Sequence, residues 1–194
     1  TFHRVLPETE KLVADDKVRR IVLCSGKVYY DLLAERTERG IDDIAIARLE
    51  QVYPFPVRSL AAQLSRYPNA DVVWCQEEPW NMGAWTYVDR RLEDLLGTLD
   101  VHAKRPGYAG RIEAASTATG LLRRHNAQQA ELIDQALTIR EDAGSQTARA
   151  GARKADDSER NRARARKASA ALSGPKATTL TKSTSGKSPT KRVK

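Results

Sequence analysis

The chain has 194 residues, a formal net charge of +8 and two cysteines, and no apolar run approaches the ~20 residues a membrane-spanning helix needs. Those bounds exclude a helical membrane span and a disulfide scaffold, and leave room for one good core with an appendage. The charge is uneven: residues 141–194 carry 14 Lys and Arg against 5 Asp and Glu, while residues 1–140 carry 19 basic and 20 acidic groups. An argument from basicity to nucleic acid therefore concerns the tail alone.

The chain opens at Thr1 rather than Met, which reads as processing or a fragment, and no signal-peptide pattern follows. Residues 1–18 carry few periodic apolar positions and are expected to be a lead-in segment. Arg19–Cys24 (RRIVLC) has the composition of a strand and stops at Ser25-Gly26-Lys27. From Val28 the period becomes helical: Val28, Tyr29, Leu32 and Leu33 share a face, and Gly40 suits the helix end. Ile44–Leu49 is a second strand. Pro56 then opens a helix whose apolar face is Val57, Leu60, Ala61 and Leu64.

Val72–Cys75 is a third strand, and Glu77, Glu78 and Pro79 behind it are expected on an exposed loop, because proline cannot donate to a ladder. Three strands alternating with two helices predict an α/β fold with an open, mostly parallel βαβαβ sheet and flanking helices. Thr86–Leu96 is a third helix, Leu99–Ala103 a fourth strand, Arg105–Ser116 a loop, and Thr117–Ile139 a long last helix. Cys24 and Cys75 each end an apolar strand and read as buried core thiols. From Glu141 onward there is no aromatic residue, and Leu172, Leu180 and Val193 are the only large aliphatics, so this basic stretch is expected to be disordered. The domain division is thus 1–18, 19–140 and 141–194.

Ligands of an open parallel sheet collect outside the carboxyl ends of its strands. That edge is built here from Ser25-Gly26-Lys27, Glu50–Pro56 and Gln76–Trp85. Lys27, at a helix start, offers an ammonium beside free backbone N–H groups, a seat for an anion; the alternative is a plain turn. Gln51 and Arg58 flank a loop stiffened by Pro54 and Pro56 and suit a phosphate or ribose; the alternative for Arg58, preferred on residue physics alone, is a solvent-facing helix charge. Glu77 and Glu78 are candidates for an acid/base pair, but adjacent residues diverge in extended chain and rarely work together, so alone they are weak evidence of catalysis. His125 lies on the apolar stripe of the last helix and reads as a packing residue, while His3 and His102 lack partners in sequence. Asp-Gly occurs nowhere, so the Gly-Asp-Gly thiamine-diphosphate motif is missing, as are a Ser/His/Asp set and a metal-ligand cluster. No catalytic residue is assigned.

Three ordered motifs, VLCSGKVYYDL (22–32), IARLEQVYPFP (46–56) and VWCQEEPWNMGAW (73–85), resemble the C-terminal domain of the thiamine-dependent 2-oxoglutarate dehydrogenase first component. YAGR at 108–111 and the helix with His125, Gln128 and Gln129 fit the same family, so the resemblance covers about 20–137. Met82 stands where that pattern has glutamine, Ser59 replaces a basic residue of some members, and the tail has no counterpart. The resemblance implies an oxidoreductase of the tricarboxylic acid cycle whose thiamine diphosphate and magnesium sit in upstream domains absent here, with no cofactor ligand on this chain. It implies a transketolase-like C-terminal domain that braces a homodimer, a lipoyl-bearing dihydrolipoyl succinyltransferase partner, and location in the bacterial cytosol or mitochondrial matrix. It further implies a nucleotide or acetyl-CoA effector near Gln51 and Arg58, with Lys27 a third candidate on the same edge. The competing expectation is a free-standing nucleic-acid-associated protein working through its basic tail.

Overall fold

The computed structural model describes residues 2–139. The expectation of a disordered tail from 141, and of nucleic acid bound to it, lies outside those residues. In chain order the elements are β1 (Val5–Leu6), a single 3-10 turn (Asp15–Lys17), β2 (Arg20–Cys24), α1 (Val28–Glu38), β3 (Ile44–Leu49), α2 (Val57–Leu64), β4 (Asp71–Pro79), α3 (Trp85–Thr98), β5 (Gly107–Arg111) and α4 (Leu122–Leu137).

They build one five-stranded sheet in the order β1-β3-β2-β4-β5, parallel throughout except for β1, which runs antiparallel to β3. The central strand β2 pairs in register with both neighbours, Val22 opposite Ile46 on one side and Val73 on the other. All five of its residues are buried, as expected of a parallel strand covered on both faces. Alternate side chains feed two cores. Ile21, Leu23, Ala47 and Trp74 pack against Leu60 and Leu64 of α2 and Val88, Leu92 and Leu96 of α3. Val22, Cys24, Ile46 and Cys75 pack against Val28 and Leu32 of α1 and Leu132 and Ala136 of α4. Both cysteines are free and buried.

Two buried arginines tie the layers together. Arg20 of β2 donates to the carbonyls of Gln135, Ala136 and Thr138 at 3.0–3.3 Å, supplying a cation to the C-terminal end of α4, where the last carbonyls lack helical partners. Arg36 of α1 forms a forked ion pair with Glu8, its Nη2 donating to Oε1 at 3.1 Å. Glu8 also accepts the N–H of Ile46 at 2.7 Å.

Five sequence expectations need correction. The lead-in segment is structured, because Val5 and Leu6 add an antiparallel strand and Glu8 plugs into the sheet edge. The third strand does not stop at Cys75: it continues to Pro79, with a register shift after Cys75 and Pro79 opposite Arg111. Proline is tolerated there because the ladder is already irregular. Leu99–Ala103 forms no strand; Val101 and Ala103 are buried as irregular chain behind α3. The fourth parallel strand lies instead in the glycine-bearing stretch 107–111, where a Cβ on Gly110 would sit 2.4 Å from the Tyr108 hydroxyl. The last helix starts at Leu122 rather than Thr117, since Gly120 takes φ +69° and interrupts the backbone.

Candidate functional site

Because β2, β3, β4 and β5 are parallel, the segments 25–27, 50–56, 80–84 and 112–121 all emerge on one edge of the sheet. Lys27 precedes α1 there, Gln51 follows β3, and Arg58 sits in the first turn of α2. The Gln51 amide donates to the carbonyl of Pro54 at 2.8 Å, which fixes a loop whose Tyr53–Pro54 peptide is cis. Arg58 is exposed, and among the described residues no hydrogen bond or ion pair engages it.

Lys27 belongs to a different set of contacts. Its ammonium lies 3.0 Å from Asp31 and 3.4 Å from Glu77. The hydrogen bond it donates to Asp31, reinforced by the charge of Glu77, raises its pKa and keeps it protonated. Among the described residues no hydrogen bond or ion pair joins Lys27 to Gln51 or Arg58. The three predicted ligands thus share an edge, with Gln51 and Arg58 on one turn and Lys27 already faced by two carboxylates.

From Lys27 a polar chain runs across the edge to β5. Asp31 accepts from the Gln129 amide at 2.9 Å, and the Gln129 carbonyl oxygen accepts from Arg111 Nη2 at 3.1 Å. The same nitrogen lies 3.1 Å from His125 Nδ1. An arginine only donates, so that ring nitrogen accepts and the ring proton resides on Nε2. His125 is therefore committed to positioning a buried guanidinium, in line with its expected packing role. Arg111 was missed as a contact partner; the usable signal was His125 and Gln129, four apart on one face of α4.

Between β4 and α3 the edge is locked. Gln76 is buried; its Oε1 accepts from Trp74 Nε1 and from the N–H of Trp85, both at 3.0 Å. Its Nε2 faces the carbonyls of Glu78 and Pro79 at 3.2 Å and of Met82 at 2.8 Å. Trp80, Trp85 and Tyr108 pack edge-on and tilted against one another with ring centroids 4.7–5.2 Å apart. Burial pushes the Tyr108 phenol up, and its hydroxyl lies within bonding distance of the Glu78 and Arg111 carbonyls. These side chains hold backbone; they do not face a reacting group. Burial likewise pushes the Cys24 thiol up to about 12, and raises Cys75 as well, which removes both as nucleophiles. Among the described residues no group of three or more His, Cys, Asp or Glu is placed to hold a metal ion.

Residues 1–137 match the family model described as 2-oxoglutarate dehydrogenase C-terminal. The chain belongs to that family. Over 145 residues it is 52% identical to proteins named 2-oxoglutarate dehydrogenase E1 component from Brucella anthropi, Brucella ovis and Brucella abortus strain S19. Each match covers 71% of this chain and 14% of the relative, so the chain spans about a seventh of the length of the proteins it resembles. The fold agrees with the family assignment: the three motifs that carried the resemblance are the β2–α1, β3–α2 and β4–α3 junctions of the edge described above.

Proposed function

We propose that this chain is the structural and regulatory C-terminal part of a 2-oxoglutarate dehydrogenase first component and performs no chemistry by itself. The observation that carries this reading is the family match over 1–137, on a domain whose described residues contain no assembled catalytic set. Thiamine diphosphate, when bound, supplies the carbanion chemistry that removes carbon dioxide from a 2-oxo acid. The described residues do not fit it, since they offer no ligand cluster for the magnesium that accompanies its diphosphate. We assign both groups to the part of the enzyme outside this chain, and to this chain the bracing of a homodimer, with the dihydrolipoyl succinyltransferase component as partner of the complete enzyme. Location in the bacterial cytosol, or in the mitochondrial matrix of a eukaryote, belongs to the same reading.

The regulatory half of the proposal rests on Arg58, an exposed guanidinium in the first turn of α2 beside the ordered Gln51 loop. A phosphate of a nucleotide or acetyl-CoA meets there a cation and the positive end of a helix. Lys27 contributes less, because an incoming anion must compete with Asp31 and Glu77. Calorimetric titration of AMP and acetyl-CoA tests this. Arg58→Ala should weaken binding about ten- to a hundredfold, Gln51→Ala less, and Lys27→Ala least, with roughly 1.5–3 kcal/mol for a charge-assisted hydrogen bond. Undiminished binding by all three variants would remove the effector site.

A further inference from the structure

Three arginines of the described residues are buried, and they differ in what answers their charge. Arg36 has Glu8, and Arg20 has Asp71 at 3.9 Å with three carbonyls at the C-terminal end of α4. Arg111, 8% exposed, has no carboxylate partner among the described residues. Its Nη2 is held by two neutral acceptors, His125 Nδ1 and Gln129 Oε1, and its Nε is buried without a partner. Neutral acceptors fix the guanidinium and leave its charge whole, which is costly in a folded interior.

The surroundings add to that charge. His125 stands near the start of α4, so Arg111 lies beside the N-terminal end of that helix. There the backbone N–H groups lack helical acceptors and carry the positive end of the dipole. The cap residue is Leu121, with no side-chain capping bond, and the first turn holds no acid but two exposed arginines, Arg123 and Arg124. Cations belong at the other end of a helix, where Arg20 sits. Glu113 is the one carboxylate in 112–124, and among the described residues it pairs with none of these arginines. Asp31, beyond Gln129, is already taken by Lys27 and by the Gln129 amide. The Asn81 side chain holds the intervening loop through the N–H and carbonyl of Ala114 at 3.2 and 3.0 Å.

We infer that Arg111 and the first turn of α4, with Arg123 and Arg124, form a seat for a phosphate group. Phosphate suits it better than a carboxylate, because a charge of about −2 near neutral pH answers several guanidiniums and its oxygens meet several N–H donors at once. The seat is not the Gln51–Arg58 turn: α2 packs on one face of the sheet and α4 on the other. It does not depend on the family reading.

The test titrates inorganic phosphate into the full chain at constant ionic strength, with chloride as the balancing anion, and follows amide and arginine Nε–H signals by nuclear magnetic resonance. A site-resolved signal is needed because the 14 Lys and Arg of 141–194 also attract phosphate. The amides of 122–124 and the Arg111 Nε–H are expected to shift together and saturably, with half-saturation at about 1 mM or below. Arg111→Gln should weaken that binding at least about tenfold, and a double variant with the exposed changes Arg123→Gln and Arg124→Gln about fivefold. If Arg111→Gln does not fold, the double variant decides. Shifts that never saturate, shifts confined to the Gln51–Arg58 turn, or the same affinity in the parent and in either folded variant overturn the inference. So does malonate, a carboxylate dianion, binding as tightly as phosphate. Glycerol 3-phosphate that displaces phosphate from the same amides makes the source a phosphorylated small molecule, and failure to displace it makes the source the free ion.

Discussion

The Gln76 carboxamide oxygen accepts the backbone N–H of Trp85 at 3.0 Å, tying the irregular end of β4 to the first residue of α3. The same oxygen takes the Trp74 indole N–H, and the amide nitrogen faces three carbonyls. One side chain thereby satisfies most of what a strand-to-helix turn leaves unpaired. Gln76→Leu keeps the volume and strands two buried donors, at roughly 1–3 kcal/mol each. A loss of about 3 kcal/mol, or roughly 10 °C in Tm for a domain of this size, should appear in thermal unfolding followed by circular dichroism.

Glu8 and Arg36 give the fold an acid-side weakness. Burial acts to raise the Glu8 pKa, but the Arg36 hydrogen bond, the amides of Glu10 and Ile46 and the Arg36 charge outweigh it, and the net shift is downward. A carboxylate lowered in the folded state contributes stability above its unfolded pKa and loses it as pH falls through the folded value. Glu8→Gln should therefore be less stable than the parent at pH 7 and approach it as the pH drops below the ordinary carboxylate range. Urea unfolding at a series of pH values checks this, and parallel curves would contradict it. Glu8→Ala leaves Arg36 buried without its partner and should cost about 3–5 kcal/mol at neutral pH.

Two glycines with the same φ of +69° separate backbone strain from crowding. A Cβ on Gly120 meets nothing within 4 Å, whereas one on Gly83 falls 2.9 Å from Glu78 Cβ and 3.0 Å from the Gln76 amide. Gly120→Ala should cost only the left-handed penalty, about 1–2 kcal/mol. Gly83→Ala also disturbs the Gln76 bonds and should cost about 1–3 kcal/mol more. Denaturant midpoints of the two variants give the difference directly.

The sheet was readable wherever a strand was a continuous apolar run. Ile21–Cys24 and Ile44–Ala47 are continuous apolar stretches because helices cover both their faces, and the change to helical spacing at Val28 and at Val57 marked the crossovers. Reading failed where tertiary contacts replace local pattern. Val5–Leu6 is too short to show a period and exists only because β3 offers an edge. Gly107–Arg111 looks like a loop because its glycine at 110 makes room for the Tyr108 ring, and Val101 misled because burial without pairing has the composition of a strand. On the candidate edge, the placement of Lys27, Gln51 and Arg58 after parallel strands followed from topology. The attachment of Lys27 to Asp31 and Glu77 did not, since Glu77 comes from a strand fifty residues on. The Arg111–His125–Gln129 contact likewise needed α4 packed beside β5.

Cys24 and Cys75 are register partners on β2 and β4, and burial holds the Cys24 thiol up to about 12. Neither should react with a disulfide reagent at pH 8 in the folded protein. Labelling should follow global unfolding, rising steeply with urea near the unfolding midpoint, because the central strands open only with the whole core. Rapid labelling of either thiol in native buffer would place it outside the core.

Carbon dioxide release from 2-oxoglutarate, with thiamine diphosphate and magnesium supplied, is the decisive measurement. No turnover is expected from this chain alone, and turnover is expected when the chain replaces the matched segment of the Brucella anthropi relative. Turnover by the chain alone would contradict the proposed function, as would a joined protein that folds and binds thiamine diphosphate yet releases no carbon dioxide.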